Sequence, residues 1–199
     1  MGNKTLIAAV VLAVVAGLCS DAAAQARGGT GGRGGGGARG GRGGGVIPPL
    51  LMNTDAFEDG GIIPERYAGR GGNVRPGFTF SNVPNGTVSF AMILQDLDVA
   101  ANGADGVLHW LAWNIPAKAG GLPEGSLPEG AVAGTAGVGR GSYFGPGAPA
   151  GPRYHHYAFE LYALSAMLTL PADATRTQLI EAMKDIVVAK AAYVGRFRQ

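Results

Sequence analysis

Apolar residues recur at every second position in three stretches of the chain, and the second and third of them carry its histidines. In the first, Val88, Phe90, Met92 and Leu94 share one parity, and the count continues onto Asp96. A strand is predicted whose buried side ends in a carboxylate. In the second, His109, Leu111, Trp113 and Ile115 share a parity, so an imidazole opens an apolar strand face. In the third, running from His155 to Leu164, His155, Tyr157, Phe159 and Leu161 alternate with His156, Ala158, Glu160 and Tyr162. Between the first two lie Asn102-Gly103 and Asp105-Gly106, which are turn-forming pairs. The end of one strand and the start of the next are therefore predicted to meet at one rim of a sheet.

The remaining pattern is weaker. From Val46 to Val83, Pro48-Pro49, Gly60-Gly61 and Gly71-Gly72 interrupt short apolar pieces such as Ile62-Ile63 and Phe78-Thr79-Phe80, predicting loops and short strands. Residues Pro116 to Ala136 sustain no amphipathic period and are predicted to be surface loop. The Gly- and Pro-rich run GPGAPAG, Gly145 to Gly151, predicts a fixed turn whose backbone N–H groups are free to hold an anion. Thr175 caps a short predicted helix, Arg176 to Lys184, with Leu179, Ile180 and Met183 at helical spacing. Ile186 to Ala192 has an ambiguous period, and Tyr193 to Arg198 alternates as a final strand. One of these last segments is expected to cover the sheet.

Composition divides the chain. Residues 1–26 read as a secretory signal peptide, with Lys4, an apolar run from Leu6 to Leu18 and the cleavage context Ala22-Ala23-Ala24-Gln25-Ala26. The mature chain is expected to be periplasmic or secreted, with no membrane span. Cys19 follows Leu18, where a lipoprotein signal wants a small residue, so a lipid anchor is not expected. Cys19 is also the only cysteine, and its removal excludes disulfides, Cys-ligated zinc and cysteine nucleophiles together. Residues 27–45, RGGTGGRGGGGARGGRGGG, have nothing large to bury and are predicted to be a disordered linker.

Charge follows the same division. Residues 1–45 carry Lys4 and four arginines against Asp21, a net of +4, whereas residues 46–199 carry 11 basic and 13 acidic residues, a net of −2. The excess positive charge belongs to the tail, and nothing in the domain resembles the footprint of a polyanion binder. No nucleic-acid partner is expected.

With Asp96 and Tyr157, His109 and His155 are the residues able to form one polar cluster. Imidazole and phenol donors beside backbone N–H groups suit an anion, with the carboxylate orienting an imidazole. The same groups would equally form a static hydrogen-bond network. An Asp96–His109 acid–base pair would suit a hydrolase, but no serine elbow or local metal signature accompanies it. Asp96, His109 and His155 have the ligand types of a two-histidine, one-carboxylate metal centre at dispersed positions. No catalytic residue, metal site or cofactor is assigned.

The pieces IIPERYAGRGGNV (Ile62 to Val74), QDLD (Gln95 to Asp98), HWLAWN (His109 to Asn114) and GPGAPAG followed by HHY occur in an order and spacing that resemble the phosphatidylethanolamine-binding protein family. This family is also known as the Raf kinase inhibitor-like proteins, and the likeness is to its bacterial members, over roughly Ile62 to Phe197. The resemblance implies a mainly β fold, a compact antiparallel β-sandwich with a few peripheral short helices, spanning residues 46–199. It also implies a pocket for a phosphate-like group or phospholipid headgroup, with Asp96, Asp98, His109, Gly147, Pro149, His155 and Tyr157 as binding positions. Asn114 matches a family asparagine and is read as structural. The resemblance leaves open inhibition or regulation of a protein partner, such as a protease or kinase. Leu97, Ala100, Ala148 and His156 depart from the family pattern, His156 standing where an arginine is usual.

Overall fold

A computed structural model describes residues 49–100, 106–135, 137 and 143–199. The expected signal peptide and linker lie outside the described residues, as do Asn102, Gly103 and Asp105 of the turn pairs. Eight strands occur among the described residues: β1 (Leu51–Asn53), β2 (Phe78–Ser81), β3 (Ser89–Asp96), β4 (Val107–Pro116), β5 (Gly121–Leu122), β6 (Val132–Ala133), β7 (His155–Leu164) and β8 (Val187–Phe197). Helix α1 spans Arg176–Met183.

The strands form two antiparallel sheets, a small one ordered β1-β2-β5 and a large one ordered β6-β4-β3-β7-β8. The two pack face to face. Met52, Phe78, Phe80 and Leu122 from the small sheet meet Phe90, Met92, Leu94, Phe159 and Leu161 from the large one in a single core. The predicted β-sandwich is therefore the observed architecture.

β3 is buried at every residue, because its other parity is covered too. Ala91 and Ile93, with Leu111, Trp113, Tyr162 and Leu164, pack under Leu168, Ala174, Leu179 and Met183. Helix α1 is thus the cover for the outer face. Its start is fixed by a capping box: Thr175 Oγ1 accepts from Gln178 N at 3.3 Å, and Gln178 Oε1 accepts from Thr175 N at 2.8 Å. Burying Leu179 and Met183 completely contributes roughly 2 kcal/mol each, which holds a helix too short to persist alone.

Three expectations are corrected. Residues 116–136 are not simply loop, since β5 and β6 each extend a sheet edge; strands of two residues are too short to show a period. The ambiguous run from Ile186 and the alternating run from Tyr193 are largely one strand, β8, whose first half is an exposed edge and therefore lacks a buried parity. The parity assigned to β4 also fails. Leu111 and Trp113 face the outer core, whereas Ile115 faces the inner one. The cause is a pair of register shifts against β3, one between Phe90 and Met92 and one between Leu94 and Gln95. Asn114, at φ 55°, takes up the first, and its side chain brackets Leu168, donating to Leu168 O at 2.9 Å and accepting from Leu168 N at 2.8 Å.

Candidate functional site

The second register shift positions the site. Leu94 pairs with Trp110 and Gln95 with Leu108, so His109 is the extra residue of a bulge. On an unbroken strand His109 would point with Leu111 toward the outer face; the bulge turns it inward. Its ring lies edge-on to Tyr157 with centroids 5.2 Å apart and beside Phe144 at 5.9 Å. His109 thus reaches the inner side beside Tyr157, as expected from the sequence, although a bulge and not simple alternation puts it there.

Asp96 ends β3 opposite Tyr157 near the start of β7, and His155 is its diagonal neighbour on the same face. His155 Nδ1 and Asp96 Oδ2 are 2.7 Å apart. The other carboxylate oxygen, Oδ1, accepts from Asp98 N at 2.9 Å, which turns the chain out of the strand. At 3% exposed, Asp96 is a buried carboxylate with its partners in place. The four side chains predicted to converge do so at one rim of the large sheet. The pairing differs from the acid–base expectation, however: Asp96 bonds His155 and not His109.

His109 is held by backbone. Its Nδ1 lies 2.9 Å from Phe144 O and 3.1 Å from Gly145 O, both acceptors, so the proton resides on Nδ1. Burial pushes its pKa below the ordinary histidine value, against the Phe144 carbonyl, the Asp96 charge and the Gly145 carbonyl. Neutral His109 therefore keeps a lone pair on Nε2. Neither His109 Nε2 nor His155 Nε2 has a hydrogen-bond partner among the described residues.

The first amides of the turn expected to offer free N–H groups are already taken. Gly147 N and Ala148 N donate to the Tyr157 hydroxyl at 3.2 and 3.0 Å, and Gly145 N donates to Asn73 Oδ1 at 2.9 Å. A buried phenol oxygen in reach of two amides satisfies them before any ligand can. Burial first, then the Asp96 charge, raises the Tyr157 pKa, while the two amides oppose the rise, so the phenol stays protonated. Gly147 is half-buried in this turn and Pro149 is exposed beyond it.

Asp98 sits outside the inner group. Its Oδ2 accepts from His156 N at 2.6 Å and faces His156 Nδ1 at 2.9 Å. Burial works to raise its pKa, but the backbone and side-chain hydrogen bonds from His156 and the charges of His156 and His155 together lower it.

The residues that position the site most directly were not foreseen. Phe144 and Gly145 act through carbonyl oxygens, which residue type does not encode. Gly145 is legible only afterwards: a Cβ there would lie 1.9 Å from Tyr67 O. Asn73 clamps the same segment, accepting from Gly145 N and donating to Tyr143 O at 3.3 Å, from a left-handed backbone at φ 51°. An asparagine after Gly71-Gly72 was the available signal.

Comparison with known proteins supplies independent findings. The family model described as phosphatidylethanolamine-binding protein matches residues 53–198. A "UPF0098 protein" of Methanothermobacter thermautotrophicus is 37% identical over 153 residues, covering 74% of this chain and 98% of that protein. A Mycobacterium tuberculosis protein named "Putative lipoprotein LppC" is 36% identical over 149 residues, covering 75% and 72%. Among solved structures, Escherichia coli YbcL, described as a new member of the mammalian PEBP family, superposes with a TM-score of 0.70 at 27% identity, covering 76% of this chain and 99% of that one. The PEBP homolog CT736 of Chlamydia trachomatis gives 0.69 at 29%, covering 76% and 98%.

Proposed function

The chain belongs to the phosphatidylethanolamine-binding protein family, and from that premise we propose that its β3-β4-β7 rim binds a small anionic ligand, a phosphate-like group or phospholipid headgroup. One observation carries the reading. Both inward histidines commit Nδ1 to the protein, His109 to the Phe144 and Gly145 carbonyls and His155 to Asp96, and both leave Nε2 without a partner. Two imidazoles fixed in orientation with their outer nitrogens free form a recognition surface built before the ligand arrives. His155, its Nδ1 held by Asp96, turns Nε2 outward, and neutral His109 accepts at Nε2, for example from the hydroxyl of a phosphomonoester. Asp96 orients His155, and Tyr157 braces the turn at Gly147. Among the predicted binding positions, Asp98 holds the loop after β3, and the Gly147–Pro149 turn forms a wall without offering free Gly147 or Ala148 amides.

Export to the periplasm or medium is part of this proposal. No helix among the described residues is long and apolar enough to cross a membrane. The Mycobacterium relative's name makes a lipid on Cys19 the competing form, which the intact mass of the natively processed chain distinguishes from cleavage after Ala24 or Ala26. The ligand reading is tested by denaturing natively exported protein and identifying by mass spectrometry what it releases. A stoichiometric phosphorylated small molecule supports it. A stoichiometric protein partner and no small molecule would favour a regulator instead.

A further inference from the structure

The Tyr143–Gly145 segment faces two environments. Phe144 and Gly145 hold His109, whereas Tyr143 lines a separate cavity of about 440 Å³ with Asn73, Arg75, Trp110, Leu127 and Ala133. At its wall lies an unusual cation. Arg75 is only 4% exposed, and its guanidinium donates solely to carbonyl oxygens: Nη1 to Pro76 O at 2.7 Å, Nη2 to Pro123 O at 2.5 Å and to Ser126 O. It lies 5.2 Å from the Trp110 ring. No carboxylate pairs with it among the described residues. Glu124 acts on it at longer range, but the Glu124 oxygens are already bound by Arg66 and by the Tyr67 hydroxyl. Burial lowers the Arg75 pKa to about 10, so it stays charged at neutral pH.

A buried cation without a paired anion is costly, and carbonyl dipoles with a ring face offset only part of that cost. A second unpartnered donor stands beside it. Trp110 is 2% exposed, and its Nε1–H has no hydrogen bond among the described residues. Its ring lines the cavity. Val74, Leu127 and Ala133 give the wall an apolar part beside Asn73, Ser126 and Tyr143.

We propose that this cavity binds a small organic carboxylate with an apolar body, its oxygens meeting the Arg75 guanidinium and the Trp110 Nε1–H. The body rests against Leu127 and Ala133. This site is separate from the histidine rim and recognises a different group: a carboxylate met by a guanidinium N–H that the carbonyls leave over, with a ring or short chain in the cavity.

The probes are benzoate and its neutral isostere benzamide, titrated calorimetrically into the full chain. Benzoate is expected to bind about tenfold or more tightly than benzamide, as a charge-assisted hydrogen bond requires. Trp110→Phe keeps the ring and removes the donor, and should weaken benzoate about tenfold. Arg75→Lys, which keeps the charge and loses the guanidinium N–H groups, should also weaken it and serves if the tryptophan variant does not fold. A His109→Gln/His155→Gln double variant should bind benzoate unchanged even if the rim proves not to bind anions. Equal affinity for benzoate and benzamide, undiminished affinity in either cavity variant, or loss in the histidine variant would overturn the assignment.

Discussion

Two aspartate–histidine pairs lie at the same rim, the aspartates two residues apart and the histidines adjacent, and their surroundings make them different devices. Asp96–His155 faces inward, with side chains 5% and 18% exposed, whereas Asp98–His156 faces outward at 25% and 48%. Strand parity alone divides them, since His155 and His156 are neighbours on β7. The inner carboxylate acts on His109 and Tyr157 as well as on its partner. The outer one mainly fastens the chain after β3 onto β7, where Leu97 N also donates to His156 O at 2.9 Å. The same chemical pair thus organises a site when buried and ties down a loop when exposed.

Removing the inner carboxylate is the strongest way to test that division. Asp96→Ala strips His155 of its partner and Asp98 N of its acceptor, and should cost about 3 kcal/mol in chemical denaturation. Next is Tyr157→Phe, which leaves the Gly147 and Ala148 amides without their acceptor and should cost about 1–3 kcal/mol, with the turn showing faster amide exchange. Unchanged exchange there would mean that the turn is held by something other than the phenol.

pH separates the regions further. The folded pKa of His109 lies below its unfolded value of 6.5, so the unfolded chain takes up protons first. The His109 contribution is complete above that value and is lost as pH falls through the folded pKa. Urea midpoints compared at pH 7.5 and 5.5 should therefore fall further for the native chain than for His109→Gln. Asp98 is also depressed, from 3.8, so its contribution is present above that value and disappears only at more acid pH. The smallest effect is expected from Asp98→Ala, at about 0–1 kcal/mol near neutrality, because exposed pairs are screened and entropically costly. Equal losses for Asp96→Ala and Asp98→Ala would erase the distinction.

The legible parts of the molecule were those where side-chain type and period coincide. β3 and β7 keep strict alternation through Asp96 and Tyr157, so their inner faces and the site residues they carry could be read directly. β4 could not be, because a bulge inserts a residue without leaving a mark in the apolar pattern, and it inverts the face of everything between its two register shifts. Helix α1 announced itself through Thr175 and the spacing of Leu179, Ile180 and Met183. The turn at Gly147 misled for a different reason: its composition predicts free amides, but the acceptor that takes them, Tyr157, is ten residues away. Backbone carbonyls that set the His109 tautomer carry no residue signature at all.

The central claim is that His109 and His155 present their outer nitrogens to an anion. It is tested most directly by calorimetric titration with methyl phosphate, whose monoanion carries a hydroxyl at pH 5.5 and has lost that proton by pH 8. Binding should be tighter at pH 5.5, where the ligand's hydroxyl donates to the neutral His109 Nε2, and should vanish when both histidines are changed to glutamine. Tighter binding at pH 8, or affinity unaffected by the double substitution, would contradict it.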